Sequence, residues 1–265
     1  MTMTKALLLA VMLSTAPAAQ QVSSDHEWCR DEGWGREDAG FCEVREFALP
    51  ASGGVLNVDA SPNGGISVEG GARADILVQA RVVARARTEG RAQEIAKSVQ
   101  VSVAGNNVES SGPRLEDREG WHVSYRVYVP TQTSVDLRTV NGGIKISDVE
   151  GRIAFKTVNG GVKLARLAGD VQGQTNNGGV DIDLDGAVWR GEGLDVRTQN
   201  GGVNLAIPEQ YSARLETGTV NGRLRVDFPL TVQGRIDRDI DATLGTGGPS
   251  IRVRTTNGGV KITRK

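Results

Sequence analysis

A short unit, Thr-x-Asn-Gly-Gly followed by apolar-polar-apolar, recurs along this chain and restricts its fold more than any other feature. Its asparagines are Asn141, Asn159 and Asn177, each 18 residues after the last, then Asn200 after 23, Asn221 after 21 and Asn257 after 36, which reads as two units of 18. A weaker copy lies upstream at Ser61-Pro62-Asn63-Gly64-Gly65. Self-similarity at a short, nearly fixed period is the mark of a stacked array. Three residues after each Asn sit Ile144, Val162, Val180, Val203, Leu224 and Val260; five after sit Ile146, Leu164, Ile182, Leu205, Val226 and Ile262. Polar residues separate them, so each unit carries a strand with one wet and one dry face. One unit alone has too little apolar surface to fold, and stacked units bury each other's inner faces.

The corner suggests its own chemistry. Asn tolerates a left-handed backbone and Gly adopts positive φ without steric cost. A second turn is expected half a unit later, at Glu150-Gly151, Gly169-Asp170 and Asp185-Gly186. Asn-Gly between alternating strands is also a hairpin signal, which would give an antiparallel meander. Equivalent residue types recur at one unit's spacing, however, and are not mirrored about each turn. That favours a parallel β-solenoid, or β-helix, with coils of 18 to 23 residues.

The rest of the chain divides around this array. Residues 1–18 have the parts of a secretory signal peptide: Lys5, the apolar run Ala6–Leu13, and Ala16-Pro17-Ala18 as a cleavage site. Export to the periplasm, cell surface or medium follows as an expectation. Residues 19–43 are polar and hold the two cysteines, Cys29 and Cys42. In an oxidising compartment such a pair reads as a disulfide; there is no C-x-x-C, and His26 alone adds too few ligands for zinc. Residues 44–130 read as irregular β structure with one short helix at Thr88–Ser98, where Thr88 can cap and Ala92, Ile95, Ala96 and Val99 recur at helical spacing. Residues 131–265 are the regular array, with one degenerate coil expected within Leu230–Gly248. The charged ending Thr263-Arg264-Lys265 would blunt an exposed terminal strand. No segment is long and apolar enough to span a bilayer.

The net charge of −1 gives no pull toward nucleic acid. Asp181, Asp183, Asp185, Gly186 and Glu192 match the calcium-loop formula, with Val188 at its hydrophobic position. The plainer reading is a strand's wet face, since Ile182 and Leu184 fall on buried columns and no helix flanks the motif. Calcium is therefore the one cofactor the sequence raises. Two basic columns are expected on the outside: Arg138, Lys156, Arg197 and Arg254, and Lys145, Lys163, Arg225 and Lys261. Such ladders could meet a glycan or an anionic envelope polymer, although Asp136, Asp195 and Glu216 interleave with them. Asn141, Asn159, Asn177, Asn200, Asn221 and Asn257 would form a structural ladder of side-chain amides. Enzyme chemistry finds little footing. His26 and His122 lie outside the array, and no G-x-S-x-G elbow, P-loop or metal-binding His pair occurs. The remaining catalytic option is a β-helix polysaccharide enzyme using Asp181 and Asp183.

The opening Val58–Val68, the Glu94–Lys97 stretch of the helix, the strand Tyr125–Pro130 and the repeated unit Thr139–Ile146 together resemble a bacterial family of exported β-strand-repeat proteins, the "putative adhesins". The resemblance runs over about residues 44–265 and brings no catalytic residues. It implies a β-solenoid, an extracytoplasmic location and an adhesive role. The alternative is a structural envelope protein that self-associates end to end.

Overall fold

The computed structural model describes residues 20–24, 27–30, 39–227 and 238–265. The expected signal peptide and His26 lie outside them. The elements run β1 (Gln20–Ser23), α1 (Glu27–Arg30), β2 (Ala39–Pro50), β3 (Val55–Asp59), β4 (Ile66–Gly71), β5 (Asp75–Ala86), α2 (Glu89–Ser98), β6 (Gln100–Ala104), β7 (Asn107–Ser111), β8 (Gly120–Pro130) and β9 (Ser134–Arg138). They continue with β10 (Ile144–Ser147), β11 (Glu150–Asn159), β12 (Val162–Ala165), β13 (Ala168–Asn177), β14 (Val180–Asp183), β15 (Gly193–Asn200), β16 (Val203–Ile207), β17 (Ala213–Asn221), β18 (Leu224–Val226), β19 (Asp239–Leu244), β20 (Ser250–Asn257) and β21 (Val260–Arg264).

The protein is all-β, with parallel strands in two sheets. The first sheet has the order β1-β2-β5-β8-β4-β10-β12-β14-β16-β21-β18, and the second β19-β17-β20-β15-β13-β11-β9-β3-β7-β6. Each Asn-Gly-Gly corner joins a strand of the second sheet to one of the first. Equivalent residues pair in register, as Ile144 does with Val162 and Val162 with Val180. On the facing sheet Thr157 pairs with Thr175 and Thr175 with Thr198. The meander is excluded for these strands. The inward columns, such as Ile146, Leu164, Ile182, Leu205 and Ile262, are buried. Each fully buried aliphatic side chain contributes roughly 1.5–3 kcal/mol, so every added layer supports both neighbours. One column mixes sizes: Phe155 lies over Gly173, where any side chain would collide with the ring.

The order of layers departs from the order of the chain. β20 lies between β15 and β17, and β21 lies between β16 and β18. The asparagines therefore stack as 63, 141, 159, 177, 200, 257 and 221. The 36-residue step is not two successive layers. The described part of the stretch read as a degenerate coil, β19, instead pairs antiparallel with β17 at the edge of the second sheet. The charged C-terminus likewise ends an interior strand.

The corner also works differently from the expected φ argument. No corner asparagine has positive φ, and Gly142, Gly160, Gly178 and Gly201 lie outside the left-handed region. Their first glycines are required because a Cβ at Gly160 would sit closer than 3.0 Å to the Gly142 carbonyl of the layer below. Left-handed residues occur at the opposite corner instead, at Asp148 and Arg166, just before the expected Glu150-Gly151 and Gly169-Asp170 turns. These two stack and form an ion pair, Arg166 Nε donating to Asp148 Oδ1 at 2.6 Å. The guanidinium holds the Asp148 carboxyl below the usual carboxylate range.

The N-terminal segment covers one end. β2, β5 and β8 are antiparallel, and α2 packs on β5 and β2. Thr88 caps α2, its hydroxyl accepting from the Arg91 N–H at 3.3 Å. At the other helix end the buried Arg45 guanidinium donates to Ala96 O at 2.8 Å and Val99 O at 2.6 Å, and to Glu43 Oε1 at 2.8 Å. A cation on the last carbonyls complements the helix dipole and removes orphan acceptors from the core. A second helix, α1, was not expected. Its Cys29 is disulfide-bonded to Cys42, and its Trp28 ring meets Arg126 at 4.0 Å and Arg81 at 4.9 Å.

Candidate functional site

Regular stacking brings outward residues of like position into columns. On the second sheet Arg138 pairs with Lys156, Lys156 with Gln174, Gln174 with Arg197, and Arg197 with Arg254. This is the first basic column, interrupted by Gln174. The column beside it runs Asp136, Ala154, Gln172, Asp195, Arg252 and Glu216. Two residues apart on a strand means the same face, so acid meets base along the strand. Arg138 Nη2 donates to Asp136 Oδ2 at 3.0 Å and Arg197 Nη2 to Asp195 Oδ2 at 2.9 Å. Those bonds push both guanidinium pKa values further up. Arg252 bridges Asp195 at 3.4 Å and Glu216 at 2.8 Å. Lys156 and Arg254 have no ion-pair partner among the described residues.

The second basic column, on the first sheet, is broken. Lys145 pairs with Lys163, but Asp181 and Asn204 follow before Lys261 and Arg225. Lys261 also lies 3.6 Å from Asp227.

The structure does not gather the calcium-formula residues. Asp181 and Asp183 share the outer face of β14. Asp181 accepts from Asn204 Nδ2 at 2.7 Å, and Asp183 is bonded to Lys265 Nζ. Among the described residues no group of three or more His, Cys, Asp or Glu side chains is placed to hold a metal. Asp185 and Glu192 belong to an exposed insertion that lengthens this unit to 23 residues and buries Trp189 instead.

The asparagine ladder is continuous. Asn159 Nδ2 donates to Asn141 Oδ1 at 2.7 Å and Asn177 Nδ2 to Asn159 Oδ1 at 2.8 Å, and the run extends from Asn63 through Asn257 to Asn221. Beneath it the buried threonines donate to corner carbonyls, Thr157 Oγ1 to Gly142 O at 2.9 Å and Thr175 Oγ1 to Gly160 O at 2.9 Å. Asn159→Ala removes two ladder bonds and is expected to cost about 1–2 kcal/mol, since a net hydrogen bond contributes roughly 1 kcal/mol. Asn141→Ala should cost about the same. Urea unfolding of both variants checks this, and unchanged midpoints would mean the ladder contributes nothing.

A groove of about 810 Å³ lies across the second sheet. From one side to the other it runs over Asp59, the Asp136–Arg138 pair, Ala154 and Lys156, Gln172 and Gln174, and the Asp195–Arg197 pair. Sequence reading placed the basic members but not the glutamines. The repeated Asp-x-Arg at 136–138 and 195–197 was the signal that could have found the groove.

Stacked parallel strands with in-register polar columns define a repeat-built class of β protein. The chain belongs to the Toastrack DUF4097 family, whose model matches residues 129–263. No curated protein matches it in sequence. Among solved structures it is similar to a "putative cell adhesion protein" from Clostridium sporogenes, at 12% identity and TM-score 0.43, covering 84% of this chain and 100% of that one. A "putative adhesin" from Bacteroides fragilis gives 12% identity and TM-score 0.39, covering 87% and 98%. A "putative lipid binding protein" from Parabacteroides distasonis gives 12% and 0.30, covering 84% and 96%. No helix among the described residues is long and apolar enough to cross a membrane.

Proposed function

We propose that this protein is an exported, non-enzymatic interaction module: a β-solenoid of Thr-x-Asn-Gly-Gly coils whose outer faces bind envelope or extracellular glycans, or anionic polymers. The observation that carries the reading is the register of the outward columns, which repeats polar groups at one strand spacing, about 4.8 Å. A polymer laid across the strands meets similar groups again and again, so affinity comes from many weak contacts. The self-associating scaffold is less well supported. Antiparallel strands and α2 cover one end, and at the other the edge strand β19 exposes Asp239 and Asp241. The polysaccharide-cleaving alternative is weakened too, because Asp181 and Asp183 are each bonded to a neighbouring side chain.

A glycan and polyanion binding screen with the chain lacking residues 1–18, alongside sedimentation, tests this reading. A stable monomer that retains a polymer is the expected result. Failure to bind any polymer, or particle length that grows with concentration, would replace it with the scaffold.

A further inference from the structure

We infer that the groove on the outer face of the second sheet is the binding site, and that it takes an acidic polysaccharide lying across β9, β11, β13 and β15. This rests on the glycan-binding reading above and adds the face, the residues and the charge type.

The groove has the volume of a ligand site but is open and polar. Two of its strands, β9 and β15, carry the same device, an Asp–Arg pair fixed on one strand, which offers an acceptor and a fork of donors side by side. Vicinal hydroxyls of a sugar ring need that combination. The pairs lie three strand spacings apart, about 14 Å, room for a few sugar rings in extended form. Between them Gln172 and Gln174 supply amides with both donor and acceptor capacity, and Ala154 leaves the space open. The exposed Lys156 is the groove's cation without an ion-pair partner among the described residues, and stands between Arg138 and Gln174.

Charge balance selects the ligand. Asp59, Asp136 and Asp195 line the groove against Arg138, Lys156 and Arg197. A densely charged polymer such as a polyphosphate or nucleic acid would bring phosphates against three carboxylates. All three carboxylates sit beside the arginines, Asp59 across from Arg138, so a neutral glycan would leave Lys156 without an adjacent counter-charge. A chain rich in hydroxyls with a carboxylate at intervals satisfies both. On the first sheet, Lys145 and Lys163 have no such arrangement of paired acid, amide and open floor.

Polygalacturonate, dextran and dextran sulfate serve as the acidic, neutral and densely charged probes, measured on the full exported chain. Polygalacturonate is expected to bind, with dextran at least about tenfold weaker. Lys156→Gln should weaken polygalacturonate binding about tenfold or more, and Asp136→Asn with Asp195→Asn should also weaken it, while Lys163→Gln stays within about twofold. All four positions are on outer faces, and an unchanged melting temperature verifies folding. Binding that survives Lys156→Gln, or falls equally in Lys163→Gln, overturns the groove but keeps the polymer-binding reading. Dextran sulfate binding as tightly, and indifferent to the Asp changes, overturns hydroxyl recognition in favour of charge alone. Wild-type retention only of other polymers in the wider screen overturns the acidic-sugar assignment, and retention of none overturns both.

Discussion

Deleting Ser250–Lys265 is expected to unfold the C-terminal half of the array, not merely to fray its end. These residues form β20 and β21, which are an interior layer. Ile251, Val253, Val260 and Ile262 are all buried within it. At roughly 1.5–3 kcal/mol each, their loss removes about 6–12 kcal/mol, as large as the whole stability of a typical domain, about 5–15 kcal/mol. The layer beyond then loses its support. β17 has β20 and β19 as partners, β18 has β21, and Asn221 donates to Asn257. Circular dichroism should show lost strand signal, and limited proteolysis should cut beyond Asn200. Adding the peptide Pro249–Lys265 in trans should restore protection. A truncated chain that melts within a few degrees of the full one would show instead that β17 closes directly onto β15, whose Thr198 and Asn200 match its Thr219 and Asn221.

That equivalence explains what the sequence could and could not reveal. Apart from Ser61 in the Asn63 copy and Arg223 in the Asn221 copy, the layers present Thr, Asn, Gly, Gly and two aliphatics at the same positions, so parallel stacking, register and the faces of Ile144 or Lys163 follow from the repeat alone. The identity of columns that makes register legible also makes layers interchangeable. Arg223 apart, the units at Asn200, Asn221 and Asn257 are alike and do not say which lies beside which, and β20 and β21 dock between strands that precede them in the sequence. The helix at Glu89–Ser98 was legible through its cap and period, but its closing group was not: Arg45 is separated from Ala96 by 51 residues. The groove was half legible. Its arginines and lysine stood out by charge, whereas Gln172, Gln174 and Ala154 matter only once three strands lie side by side.

The corner glycines allow a sharper test, because the two of one corner should respond very unequally to alanine. Gly160 and Gly161 both lie outside the left-handed region, so alanine at either is permitted by the backbone. In open surroundings Gly→Ala would stabilise by roughly 0.4–1 kcal/mol through the unfolded chain. At Gly160 the new Cβ falls closer than 3.0 Å to the Gly142 carbonyl and the Gly143 N, which are backbone and cannot swing aside. Opening that contact would strain the Thr157 bond to Gly142 O and the Asn159 bond to Asn141. Gly160→Ala is therefore expected to cost about 3 kcal/mol or more, at the upper end of overpacking, lowering the midpoint by about 6–12 °C. At Gly161 the new Cβ would meet its nearest neighbour, Gly179 O, at 3.5 Å, an ordinary contact. Gly161→Ala should stay within about 0.5 kcal/mol of the parent. Thermal unfolding of the pair decides the matter: equal losses would return the corner to a backbone-conformation argument, and unequal ones fix close stacking as the reason its first glycine is required.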